Sequence, residues 1–380
     1  MSTLHKEFKF FFYGVLTAIL PSFFLFFIFL RSDYFTGKFL NSFPQYKQYP
    51  QVLRKVPEGQ LLQELKKIGA YYDETKQVYE YNLTEPKLHI HNDELDVKFL
   101  LPGASLNGYR MKSSSPFIIA QPQMYIESNK DLSPIVKQYI AEETIGQFQI
   151  NVDEDGYRMN SPRIKSDDKV LVIGDSVVFG YAISDSFTIS SYLQSKNNNI
   201  EFVNAGVSGA NTTDILKRLK HEIAKYKPKA IVYVLFQNDY SHGGVGGDYL
   251  STIMEVNQSF IDLNLADIPK LIISHMFINH YNSNFVWQFT PLEDQFLSEQ
   301  DELQSFMKEV NLGFKNYTDQ FENLDFISSV NIFDSSLGHN TGTPFSYMSY
   351  FVDALHLSPW GTELFALEIY KFLQDSSVVE

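Results

Sequence analysis

The chain predicts a three-layer α/β/α domain on a parallel sheet. An N-terminal transmembrane helix and a mixed, strand-rich accessory region precede it. Three observations predict this. Apolar strands and amphipathic helices alternate from Lys169 onward, residues 10–30 carry no charge, and short strand-like segments broken by Gly, Pro, Ser and Asn fill the stretch between.

The alternation is the strongest signal. KVLVIG, from Lys169, is a buried-strand run ending in glycine. FTISSYLQSK then has the character of a helix, IEFVNAG of a second strand, and TTDILKRLKHEIAKYK of an amphipathic helix capped by Thr212 or Thr213. AIVYVLF is a third apolar strand. Strand, helix, strand, helix, strand in this rhythm requires parallel pairing with helices covering the sheet. A charged helical stretch at residues 292–310, a strand at SVNIFD (residues 329–334) and a last helix after Pro359 complete the expectation. Upstream, LLQELKKIGAYYDE has helical spacing from Leu61, and KLHIHN, DVKFLLPG, PFIIAQ and QFQINV read as short strands. This upstream region is expected to pack onto the sheet.

Residues 10–30 would form a helix about 30 Å long, the thickness of the hydrocarbon layer. Pro21 lies within the run, where a membrane helix tolerates a kink. No small-residue cleavage site follows, since Arg31-Ser32-Asp33-Tyr34 comes next, so an uncleaved signal anchor is expected. Lys6 and Lys9 before the span balance Arg31 and Lys38 after it. The short head and long following body favour an N-terminus in the cytoplasm and a catalytic domain outside it, periplasmic or extracellular. The expected organisation is a head at 1–9, the anchor at 10–30, a stalk and accessory region at 31–165, and a catalytic domain at 166–380.

Composition narrows the function classes. A net charge of −14 repels phosphate backbones and argues against a nucleic-acid partner. The absence of cysteine removes disulfides, thiol nucleophiles and thiolate metal sites.

In parallel sheets, chemistry gathers outside the carboxyl ends of the strands. Gly174-Asp175-Ser176 stands there after the first strand, Asn204-Ala205-Gly206-Val207-Ser208-Gly209 after the second, and Gln237-Asn238-Asp239 after the third. Asp353-Ala354-Leu355-His356 precedes the last helix. Together they supply the parts of an acyl-transfer centre. Ser176 is the nucleophile, and His356 is the base that activates it. Asp353 is the group that orients the imidazole. The N–H groups of Ser176 and Gly209, with the Asn238 amide, are donors for the oxyanion. Gly206 is the rival to Gly209, and the bland role for Ser176 is the cap of the next helix. Asp175 is expected to shape the turn.

These segments resemble the SGNH (GDSL-type) serine hydrolase family, in which Ser, Gly, Asn and His blocks follow one another in chain order. GDSVVFG matches the first block, NAGVSG the second, QND the third and DALHLSPWG the last. The resemblance covers about residues 166–380. It implies a flavodoxin-like sheet and a catalytic triad of Ser176, Asp353 and His356. It also implies an oxyanion hole of Ser176, Gly209 and Asn238. Phe236 stands where the third block usually carries glycine, which puts substrate size in question. The glycine-rich residues 242–248 that follow read as a lid. Asn151-Val-Asp-Glu-Asp-Gly-Tyr-Arg158 resembles the strand and turn that lead into the first block in envelope members acting on glycans.

Other motifs carry less. The Asn-Asp-Asp-Gly run from Asn151 mimics a calcium loop, but Pro162 occupies the position that requires a glutamate. His89 and His91 lack a third ligand nearby. The glycines at 243–247 lack the Lys-Ser/Thr of a phosphate loop. Gly-x-Ser-x-Gly is absent. The expectation is a membrane-anchored esterase that needs no cofactor and no metal. Its substrate would be an acyl ester, an O-acylated and foremost acetylated carbohydrate of the envelope. The alternatives are an O-acetyltransferase using the same triad and a non-catalytic scaffold retaining the fold.

Overall fold

The computed structural model describes residues 59–68, 88–111, 123–236, 270–276, 311–328 and 356–380. Several expectations lie outside them: the anchor at 10–30, the segment PFIIAQ, the glycine-rich residues 242–248, the charged stretch 292–310 and SVNIFD. Among the described residues no helix is long and apolar enough to cross a membrane.

In chain order the first elements are α1 (Gly59–Lys67), β1 (His89–Asn92), β2 (Val97–Leu100), β3 (Ser105–Met111), β4 (Gln123–Glu127), α2 (Pro134–Glu143) and β5 (Thr144–Asn151). β1 and β2 form a hairpin, and β4-β3-β5 form an antiparallel sheet. This region is more regular than the sequence suggested. β3, β4 and α2 escaped the sequence reading because Gly108, Asn107 and two polar ends blur the periodicity. α1 and α2 cover one side of this sheet around Leu65, Met111, Met124, Val136 and Ile140.

The remaining elements are β6 (Lys169–Gly174), α3 (Ser176–Phe179), a 3-10 turn (Asp185–Phe187), α4 (Ile189–Lys196), β7 (Glu201–Gly206), α5 (Thr212–Tyr226), β8 (Ala230–Phe236), β9 (Leu271–Met276), β10 (Leu324–Ser328) and α6 (Pro359–Asp375). Their sheet has five strands, all parallel, in the order β10-β9-β8-β6-β7. This is the 2-1-3-4-5 order of doubly wound folds. The sequence reading did not single out β9 or β10.

The two faces follow from the alternation of a strand. Val170 and Val172 of β6 pack with Leu193 of α4 and Phe365, Ile369 and Leu373 of α6. Leu171 and Ile173 point the other way, to Ile215 and Leu219 of α5. The accessory region shares that second core through Leu100, Leu106, Phe148, Ile150 and Val152. Burying each such side chain contributes about 1.5–3 kcal/mol, so the accessory region is fused to the sheet by ordinary apolar packing.

One helix cap differs from the expectation. Asn211, not Thr212 or Thr213, caps α5. Its backbone is extended, its side chain accepts from Asp214 N, and Asp214 reaches back to the Asn211 N–H. The reciprocal pair satisfies two N-terminal donors at once, which leaves Thr212 as the first helical residue.

Candidate active site

Ser176 stands where the strand order reverses. β7 lies on one side of β6 and β8 on the other, and Ser176 follows the carboxyl end of β6. Asp175 is the cap of α3. Its Oδ1 accepts from Val177 N at 2.8 Å and its Oδ2 from Ser176 Oγ at 3.3 Å. The capping role that the sequence left open for Ser176 therefore belongs to Asp175. Ser176 keeps its hydroxyl for other contacts, with 6% of the residue exposed.

His356 Nε2 lies 2.9 Å from Ser176 Oγ. His356 stands just ahead of α6, whose start is set by Ser358 capping Gly361 N and by Pro359 in the first turn. The Ser176 hydroxyl lies within hydrogen-bond reach of both the imidazole, at 2.9 Å, and the Asp175 carboxylate, at 3.3 Å.

Gly206 and Gly209 separate cleanly. A Cβ on Gly206 would sit 2.1 Å from Phe179 N and 2.6 Å from Val178 C, so glycine there lets β7 touch the backbone of α3. Gly209 has φ +74°, and a Cβ there meets nothing within 4 Å. It lies in a turn closed by Ala210 N donating to Val207 O, at the place in a turn that takes positive φ. Val207 N donates to Gly174 O, which brings this turn to the same sheet edge as Ser176. Packing thus accounts for Gly206, while open space lies beside Gly209. Asn238 and Asp353 lie outside the described residues.

Four further residues build the surroundings. Asn204 donates to Val178 O and accepts from Gly206 N, tying β7 to α3. Arg158 is 2% exposed and feeds the loop after α3. It donates to Asp185 Oδ1 at 2.7 Å, Phe179 O at 2.9 Å, Gly180 O at 3.2 Å, Ile183 O at 2.7 Å and Gln149 O at 3.3 Å. Burial lowers its basicity, and the Asp185 carboxylate opposes that shift. Asn151 also binds Asp185, donating from Nδ2 to Oδ2 and from its backbone N–H to Oδ1, the oxygen it shares with Arg158. Tyr181 lays its ring against His356, with centroids 4.2 Å apart. Arg158 and Asn151 belong to the Asn…Gly-Tyr-Arg segment noted in the sequence. Its calcium-loop likeness has a local cause: Asp153 Oδ1 accepts from Asp155 N and Tyr157 N, an Asx turn closed by Gly156 at φ +85°. Among the described residues no cluster of His, Cys, Asp and Glu is arranged to hold a metal ion.

The profile of the GDSL-like Lipase/Acylhydrolase family matches residues 170–369, just over half of the chain. The chain belongs to that family. As a GDSL family member it is a hydrolase of ester bonds, and its parallel α/β sheet is of the SGNH type. Among solved structures, the lipase/acylhydrolase from Enterococcus faecalis is similar at 21% identity over 55% of this chain and 96% of that one, with a TM-score of 0.39. An acetylxylan esterase from Geobacillus stearothermophilus, Axe2, is similar at 19% identity over 56% and 95%, with a TM-score of 0.40. A lipolytic G-D-S-L family member from Veillonella parvula is similar at 15% identity over 55% and 99%, with a TM-score of 0.36. None of the curated proteins compared with the GDSL family member matches it.

Proposed function

We propose that the chain is a membrane-anchored serine esterase that removes an O-acyl group, foremost acetyl, from a carbohydrate of the cell envelope. Its catalytic domain at 166–380 works outside the cytoplasm. Residues 10–30 tether it, and residues 31–165 connect the two. The observation that carries the chemistry is the 2.9 Å approach of His356 Nε2 to Ser176 Oγ across 180 residues of sequence. A weak nucleophile becomes competent at neutral pH only beside such a base.

In this mechanism the Ser176 hydroxyl proton passes to His356 Nε2 as Oγ bonds to the ester carbonyl carbon. The carbonyl π pair moves onto its oxygen, held by the N–H groups of Ser176 and Gly209 and the Asn238 amide. Collapse expels the alcohol, which takes the proton from Nε2. Water then repeats the sequence and frees the acid. Asp353 holds Nδ1–H so that Nε2 faces the hydroxyl bare. Each oxyanion donor contributes about 3 kcal/mol to the barrier reduction. The glycan reading is supported by the Asn151–Arg158 segment, and the tether by the uncharged run at 10–30.

The test is hydrolysis of p-nitrophenyl acetate by the full-length chain in detergent. Ser176→Ala and His356→Ala are each expected to lower kcat at least about a thousandfold. Full activity of Ser176→Ala defeats the mechanism. A panel of acetylated sugars and longer acyl esters tests the substrate, and faster turnover of the long chains defeats the glycan assignment. Transfer of acetyl to an added glycan would place the chain among acetyltransferases instead.

A further inference from the structure

Tyr181 touches both ends of the nucleophile–base pair. Its backbone N–H donates to Ser176 O at 3.0 Å, alongside that of Gly180. Its ring centroid lies 4.2 Å from that of His356, with planes inclined by 34°. Behind it, the Tyr125 ring of β4 stands at 6.1 Å and in turn meets Phe148 of β5 edge-on at 5.6 Å. The Tyr181 loop is held firmly. Gly180 takes the left-handed conformation at φ +79°. Ala182, fully buried, does so at φ +62° without the freedom of glycine. Such a conformation persists only where the surroundings over-determine it. Arg158 does so by binding the carbonyls of Phe179, Gly180 and Ile183.

The imidazole has two soft torsions, and only a narrow part of their range points Nε2 at Ser176 Oγ. A half-buried aromatic ring on its face restricts that range and offers a π face to the imidazolium formed as the serine proton moves. We propose that Tyr181 is a positioning residue that holds His356 in line with Ser176, and that the accessory region takes part in catalysis by anchoring it through Arg158 and Tyr125. The proposal rests on the esterase assignment above. No chemical step passes through Tyr181, and its hydroxyl is not required.

The experiment compares full-length wild type, Tyr181→Leu, Tyr181→Phe and Ser176→Ala on p-nitrophenyl acetate, with thermal melts of each. Tyr181→Leu is expected to lower kcat about ten- to a hundredfold, the cost of a misplaced catalytic group. Its KM should stay within about threefold, as for a residue that acts through His356 and not on the substrate. Tyr181→Phe keeps the ring and restores kcat. Wild-type kcat in Tyr181→Leu overturns the proposal, as does a change confined to KM, or a loss in Tyr181→Phe equal to that in Tyr181→Leu. If Tyr181→Leu does not fold, Tyr181→Met, of similar volume and flexible, is judged by the same outcomes. Failure of the esterase assignment looks different: wild type is inactive, or Ser176→Ala is as active as wild type, and both ideas fall.

Discussion

Replacing Arg158 by alanine removes the donors of five hydrogen bonds at once, to Asp185 and to the carbonyls of Phe179, Gly180, Ile183 and Gln149. Bonds to a charged group are each worth about 1.5–3 kcal/mol. Their plain sum would rival the whole stability of a domain, about 5–15 kcal/mol, and so overstates the loss. Two effects reduce it. The guanidinium was desolvated at a cost, visible in its lowered basicity, and water can enter the vacated space to bind some of the carbonyls. The Asp185 carboxylate nonetheless loses its charged partner and keeps only the neutral donors of Asn151, with 13% of its side chain exposed. Breaking a buried pair on one side typically costs about 3–5 kcal/mol, and that is the expected loss for Arg158→Ala. Arg158→Lys keeps the charge but brings three donors to five acceptors, and should lose about 2 kcal/mol. The assay is urea unfolding of the full-length chain followed by far-ultraviolet circular dichroism. A loss under about 1 kcal/mol in Arg158→Ala, against the 3–5 kcal/mol for a broken buried pair, would refute the claim that this network secures the loop beside the active site.

Gly206→Ala drives a methyl into the backbone of Phe179. It should lose about 3 kcal/mol or more, together with Ser176 labelling by a fluorophosphonate. Gly209→Ala meets only backbone strain at φ +74° and should lose about 1–2 kcal/mol; equal thermal shifts in the two variants would contradict the contrast. Asn211→Ala removes the α5 capping box and should lower stability by about 0.5–2 kcal/mol in the same melts. Burial first, and then the Glu222 carboxylate, push the Tyr157 phenol far above the ordinary tyrosine range. The folded state therefore keeps a proton that the unfolded chain loses near pH 10. Stability is whole below about pH 10 and falls above it by up to about 1.4 kcal/mol per unit. Tyr157→Phe should flatten that slope in pH-dependent unfolding, and an unchanged slope would contradict the assignment.

Much of the catalytic half was legible because its signals are local. β6, β7 and β8 are short apolar runs, the first two ending in glycine, and α5 has an apolar stripe of helical period, so each element betrays itself within a few residues. Regions with mixed patterns were harder. β3 reads SLNGYRM, with a glycine whose added Cβ would strike Phe148, and only its pairing with β4 and β5 makes it a strand. β9 and β10 are short, and their places follow from non-local pairing, β9 beside β8 and β10 beside β9 at the sheet edge. The α5 cap slipped by one residue because Asn211, Thr212 and Thr213 are all good caps, and the side chain of Asp214 decided among them.

What the sequence determined alone was the alternation of strands and helices, the residues at the strand ends and their chain order. Each depends on periodicity and residue type over a short span. The tertiary structure decided the strand order that puts Ser176 at the reversal point, the contact of Ser176 with His356 and the capture of the Gly180–Asp185 loop by Arg158. The last of these had to be seen in space: the partners of that buried charge are mostly backbone carbonyls, which every residue carries, so no pattern of side chains announces them.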